Sequence, residues 1–258
     1  MGRRKKMKTR LQSFGGILSP KAMIAGMGLA TVIAFAIALA AARSPALSND
    51  EKSKTDERLD DAASLFSEVM GAPDKAIPQS LLDKSYCIVL VPGLKKGAFL
   101  FGGSYGRGFA LCRRGDGIGW GAPAAIRIEG GSFGLQAGVS STDLILLVMN
   151  GRGMKRLMMS KFTIGAEAMA AGGPVGRDAT AQTDAMLMAE ILSWSRSRGL
   201  FAGISLDGST LRNDIDENEA MYGQRWDNKQ VLTTRTKPPA AASRLIAELN
   251  KYSPRATR

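Results

Sequence analysis

Between Tyr86 and Asn150 short runs of β-branched and aromatic residues alternate with glycine-rich breaks that are too short to hold a crossover helix. Six runs read as strands: 86–91, 97–102, 108–113, 123–129, 132–137 and 143–149. Strands this close in sequence pair antiparallel, which excludes a parallel doubly wound fold. The expectation is an α+β class: a single domain with a curled, mostly antiparallel sheet, barrel- or sandwich-like, flanked by short helices.

The flanks carry helical periodicity. Leu59, Ala62, Ala63, Phe66, Val69 and Met70 fall on one helical face, with Ser53 and Asp56 placed to cap and Gly71 to stop. A second short helix can begin at Pro78 and run through Leu81 and Leu82. Residues 151–161 read as a helix with Met154, Leu157 and Met158 inward, 162–170 and 200–206 as strands, and 214–222 as a helix or turn. Residues 185–194 are ambiguous between helix and strand. Residues 240–252, after Pro238-Pro239, read as a short amphipathic helix.

Composition enters through what it removes. The chain has no histidine, so a Ser-His-Asp or Cys-His pair, a His-ligated metal and an imidazole acid–base are all excluded. That decides the reading of Gly102-Gly103-Ser104-Tyr105-Gly106 and Gly130-Gly131-Ser132-Phe133-Gly134, which both match the GxSxG elbow of hydrolases. Lacking the base, they read as two similar glycine turns between strands. Asp214-Ile215-Asp216-Glu217-Asn218 opens like a calcium loop, yet Glu219 stands where glycine is needed and Arg225 where the closing glutamate belongs, so a solvated acidic turn is expected. Glu129, Asp143, Glu167 and Glu190 sit in apolar segments and are read as surface or satisfied polar groups, not a catalytic pair. A phosphate loop is missing from the sequence, and no cofactor or metal is expected.

The net charge of +12 is unevenly placed. Seven cations (Arg3, Arg4, Lys5, Lys6, Lys8, Arg10 and Lys21) precede residue 22 with no acid among them, leaving 28 cations against 23 acids in the remainder. Residues 22–42 are uncharged, long enough as a helix to cross a hydrocarbon core of about 30 Å. The order basic, apolar, small, polar predicts a basic cytoplasmic arm (1–21), a transmembrane anchor or signal-peptide core (22–42), a polar linker (43–54), the domain (55–223) and an extension with the amphipathic helix (224–258). Both the retained anchor and the cleaved signal remain open, because Ala38-Leu39-Ala40 and Ala40-Ala41-Ala42 satisfy the small-x-small rule. Either way the body is placed outside the cytoplasm, membrane-anchored facing the periplasm or periplasmic. In that oxidising setting Cys87 and Cys112, both in strand-like runs, are read as a disulfide; two separate buried thiols are the alternative.

Basic residues recur beside the breaks: Lys95-Lys96, Arg113-Arg114, Arg177, and Arg196 with Arg198. Solvated loops explain each singly. Gathered on one face they would attract anionic lipid headgroups, each worth up to about 1 kcal/mol. Nucleic acid is a poor partner for a chain with few aromatics and an exported body.

The ordered motifs carry a resemblance. Ile77-Pro78-Gln79-Ser80-Leu81-Leu82, Val91-Pro92-Gly93-Leu94-Lys95-Lys96-Gly97-Ala98-Phe99 and Gly119-Trp120-Gly121-Ala122-Pro123-Ala124 come in sequence. Gly131-Ser132-Phe133-Gly134-Leu135-Gln136-Ala137-Gly138, then Gly173-Pro174-Val175-Gly176-Arg177, then Trp194–Ser209 and Tyr222-Gly223 follow. Together they resemble the SYLF lipid-binding domain over roughly residues 57–223. The resemblance implies a non-enzymatic module: eukaryotic members bind phosphoinositides, yeast members also bind and bundle actin, and bacterial members are exported. Trp194 departs from the tyrosine usual in eukaryotic members, and an export segment replaces their adaptor domains. The expected partner is anionic membrane lipid, contacted through Lys95, Lys96, Arg177, Arg196 and Arg198 and by the amphipathic helix. The alternative is an envelope structural or protein-interaction module.

Overall fold

The computed structural model describes residues 45–72, 76–99, 101–133, 138–175, 188–197, 200–203 and 206–256. The arm and apolar stretch at 1–42 lie outside these residues. Among the described residues no helix is long and apolar enough to cross a membrane.

The sheet is built on β1 (Cys87–Phe99). Its Ile-Val-Leu-Val run at 88–91 is apolar on both faces, as a strand covered on both sides must be. β2 (Phe101–Cys112) and β4 (Gly138–Val148) pair antiparallel on either side of it. β3 (Ala124–Phe133) joins β2, and β9 (Thr210–Asn213) and β5 (Lys161–Thr163) extend that side. On the other side β7 (Ile191–Ser197) pairs with β4, with β8 (Leu200–Gly203) antiparallel and β6 (Ala170–Gly172) parallel to it. The β6–β7 pair is the one parallel ladder among these strands, so the sheet is mostly antiparallel.

Helix α1 (Pro45–Gly71) lies on one face. Leu59, Ala62, Ala63, Phe66, Val69 and Met70 are all buried there with Ile88, Leu90, Phe109, Leu111, Leu147 and Trp194. The opposite face closes over Val89, Val91, Ile126, Leu144, Leu146, Phe162 and Leu211. α2 (Gln79–Lys84) packs Leu81 and Leu82 beside α1. α3 (Gly151–Leu157) is capped by the Asn150 side chain, and α4 (Ile215–Tyr222) and α5 (Asn228–Thr233) follow β9. A 3-10 turn at Ala240–Ala242 leads into α6 (Ser243–Tyr252).

Several expectations change. α1 already covers residues 45–54, so most of the stretch read as linker is helical and Ser53 and Asp56 lie inside the helix instead of capping it. Within the described side chains just before the apolar stripe, Asp50 pairs with Lys54 and Glu51 is bonded to Arg107 of β2. Runs 86–91 and 97–102 are not separate strands: Pro92-Gly93 is absorbed as a bulge in β1, with Gly93 at φ 65° and its N–H donated to Asp143 Oδ1 at 2.9 Å. β1 and β2 instead stay paired as far as Phe99 and Phe101. The two glycine motifs are not turns either, for Gly102, Gly103 and Ser104 pair with Ser132, Gly131 and Gly130 in adjacent strands. Run 162–170 is strand only at its two ends. The ambiguous 185–194 resolves as strand from Ile191, while 185–187, like 134–137 of the fifth run, lie outside the described residues.

Candidate functional site

Lys95 and Lys96 stand on β1 beyond the bulge, both exposed. Leu94 before them is buried in the second core, so alternation along the strand puts Lys95 on the helix-covered face of the sheet and Lys96 on the other. Lys95 lies opposite Tyr105 of β2, which is 46% exposed, and Ser141 of β4; Lys96 lies opposite Ser104 and Ser140. The same end of the sheet collects apolar residues by register. Phe99 is the register partner of Phe101, Phe133 pairs with Phe101 at the end of β3, and Leu200, 68% exposed, begins β8 opposite Ser197.

Arg196 does not belong to that exposed group. Its guanidinium is bonded to Glu68 of α1 and to Asp143 of β4, the latter at 2.7 and 3.0 Å. With Arg58, Asp61 and the Pro92-Gly93 bulge these side chains line a cleft of about 360 Å³ between helix and sheet. Arg196 is thus a clamp for α1, its charge already matched by two carboxylates. Arg177 and Arg198 lie outside the described residues. The amphipathic helix α6 is also committed: Leu245 and Leu249 are fully buried against α1, leaving no free apolar face for lipid.

Of the acids at 214–219, Asp214 and Glu217 prove to be interior, while Asp216 and Glu219 pair with Arg225 near the surface. Asp214 caps α4 and is bonded to Arg107 at 2.7 Å, and Glu217, fully buried, is bonded to Arg58 of α1 and lies 3.7 Å from Arg107. Burial pushes the Glu217 carboxyl up to about 7, against the pull of Arg58 and Arg107. The spacing of these acids pointed to a solvated turn because the arginines that meet them are 107 and 159 positions away. The remaining carboxylates are engaged as well: Glu129 with Arg212, Glu167 with the Thr163 N–H, and Glu190 with Arg152. No cluster of candidate metal ligands occurs among the described residues.

Cys87 and Cys112 face each other in register at the opposite end of the β1–β2 ladder and are joined in a disulfide, with Cα atoms 3.9 Å apart.

Fold and site together define a single α+β domain: a curled sheet clamped under a long helix, with a cationic and apolar end. Residues 129–252 match the sequence family described as "Ysc84: Las17-binding protein actin regulator". Protein YSC84 of Saccharomyces cerevisiae is 33% identical over 182 residues, 69% of this chain and 38% of the relative. An SH3 domain-containing protein, PJ696.02, of Schizosaccharomyces pombe is 35% identical over 186 residues, 71% of this chain and 43% of the relative. The SH3 domain-containing YSC84-like protein 1 of Homo sapiens is 31% identical over 182 residues, 70% of this chain and 53% of the relative. The chain belongs to the Ysc84 (SYLF) family, and it spans about half or less of the length of these relatives. The family match runs to Tyr252, past the expected boundary at residue 223, in keeping with the burial of α6 in the core.

Proposed function

We propose that this domain is a non-enzymatic binding module that docks the Lys95–Lys96 end of its sheet onto an anionic phospholipid surface. One observation carries the reading: strand register brings two exposed lysines to the same end as Phe99, Phe101, Phe133, Tyr105 and Leu200. Cations near apolar strand ends suit the boundary between headgroups and acyl chains, where each cation contributes about 1 kcal/mol. The uncharged stretch 22–42 would hold the domain at the outer face of an inner membrane or direct its export there, where an oxidising compartment preserves the Cys87–Cys112 bridge. Co-sedimentation of residues 43–258 with vesicles, with and without phosphatidylserine or a phosphoinositide and across salt, tests this. Binding that rises with anionic lipid and falls with salt is expected; equal binding to neutral vesicles at all salt concentrations would overturn it.

A protein partner is the second reading, favoured by the family description as an actin regulator. Co-sedimentation with actin filaments in the absence of lipid tests it directly.

A further inference from the structure

We propose that the opposite end of the molecule, beside the disulfide, holds a binding cavity for a small amphiphilic anion, a carboxylate or phosphate head on a short apolar body. The cavity measures about 520 Å³, within the range of small-molecule sites, and is formed where the loop after β2 meets the segment following α5. Each wall has an identifiable cause. Cys112 ends β2, and its carbonyl accepts the Gly121 N–H at 2.8 Å, folding residues 113–120 into a closed loop. Trp120 is fixed as the floor: the Arg113 guanidinium stacks on its ring at 3.9 Å and its indole N–H donates to the Ser253 carbonyl at 3.1 Å. From the other side Val231 is buried against Ala122 and Ala124, with Leu232 packed alongside.

The lining divides chemically. Trp120, Ala122, Val231 and Leu232 give one apolar half. Arg114 and Arg235 stand at the rim of the other. Among the described residues Arg114 meets only Asp116, at 3.8 Å and largely in solvent, and Arg235 is exposed and forms no salt bridge. The Thr233 and Thr234 hydroxyls donate to the carbonyls of Lys229 and Gln230, at 2.7 and 2.6 Å, and Thr234 Oγ1 accepts from the Thr236 hydroxyl, so these hydroxyl protons are already used. The donors available to a ligand head are therefore the two guanidinium groups, which suit a carboxylate or phosphate. An apolar body of a few carbons would cover Trp120 and Leu232. This site is separate from the lysine-bearing end of the sheet and does not depend on membrane docking there.

The test is a residue-resolved NMR titration of the full chain with four probes below their micelle concentrations: octanoate, octyl phosphate, inorganic phosphate and octyltrimethylammonium. Saturable shifts at residues 113–121 and 231–236 with both octyl anions are expected, with inorganic phosphate at least tenfold weaker. The Arg114→Ala and Arg235→Ala double variant should lose at least tenfold in affinity for the octyl anions while its melting temperature is kept. Absence of saturable shifts there, equal response to the cationic amphiphile, or unchanged affinity in the double variant would overturn the proposal. Inorganic phosphate binding as tightly as octyl phosphate would overturn its apolar half. Because all probes are monomeric, a failed vesicle experiment leaves this result untouched, and the reverse holds too.

Discussion

Glu217 brings a carboxylate into the interior and meets Arg58, Arg107 and Asp214 there. Its pKa is raised, to about 7, so the folded state holds a proton that the unfolded chain has already released between roughly pH 4.5 and 7. Stability from this group is complete below the unfolded value and is lost as pH rises through 7. The melting temperature should therefore fall between pH 5 and pH 8, and Glu217→Gln should flatten that slope; an unchanged slope would assign the pH dependence elsewhere. Glycines set a second constraint at this scale. A Cβ on Gly173 would overlap the Trp194 ring, whose indole N–H donates to the Pro174 carbonyl at 2.9 Å. Gly173→Ala should destabilise by about 2 kcal/mol in denaturant titration, and Trp194→Tyr in the same chain should recover part of the loss by clearing the ring edge. A Cβ on Gly108 would overlap the Leu90 carbonyl, a backbone group that cannot swing aside. Close approach of β1 thus requires glycine at 106 and 108 of β2, whereas Gly97 and Gly103 have room for a side chain, a distinction the sequence suggested only in general terms.

Among the elements, α1 shows how unequal ion pairs are. Arg107 serves Glu51, Asp214 and Glu217, the last two nearly or fully buried, whereas Arg244 and Asp60 pair in solvent. Arg107→Ala should cost about 3 kcal/mol, because it strands buried carboxylates, and Arg244→Ala far less, because its pair with Asp60 lies in solvent. Equal losses in urea titration would contradict this ranking. The β1–β2 ladder carries its own staple: replacing Cys87 and Cys112 with serine releases a loop of 25 residues and should lower stability by about 3 kcal/mol in the same assay. The helical stripe from Leu59 to Met70 was legible because its period matches a buried face. The helix around Asp50 and Glu51 was not, since a pair with Lys54 and a bond to the distant Arg107 leave no periodic signal.

For the whole molecule, the two ends of the sheet are chemically distinct, and the membrane proposal makes separable demands on one of them. Lys95→Glu with Lys96→Glu should weaken binding to anionic vesicles by about 2 kcal/mol or more, at least roughly thirtyfold, while leaving residual binding to neutral vesicles intact. Phe99→Ser with Phe101→Ser should lower binding to both kinds of vesicle. If both double variants behave alike in co-sedimentation, electrostatic attraction and apolar insertion are not independent contributions at this end. Sequence by itself determined the strand-rich middle, its antiparallel sense, the buried face of α1, the exclusion of histidine chemistry and the ordered motifs of the family, because each depends on spacing along the chain or on a residue type being present. Tertiary structure alone decided that Arg196 is spent on Glu68 and Asp143, that Asp214 and Glu217 are interior, that α6 is core, and that Lys95 and Lys96 lie at the end of the sheet with the apolar strand ends. Those outcomes depend on which charges meet across 53 to 159 residues and on strand register, and neither leaves a local signature in the sequence.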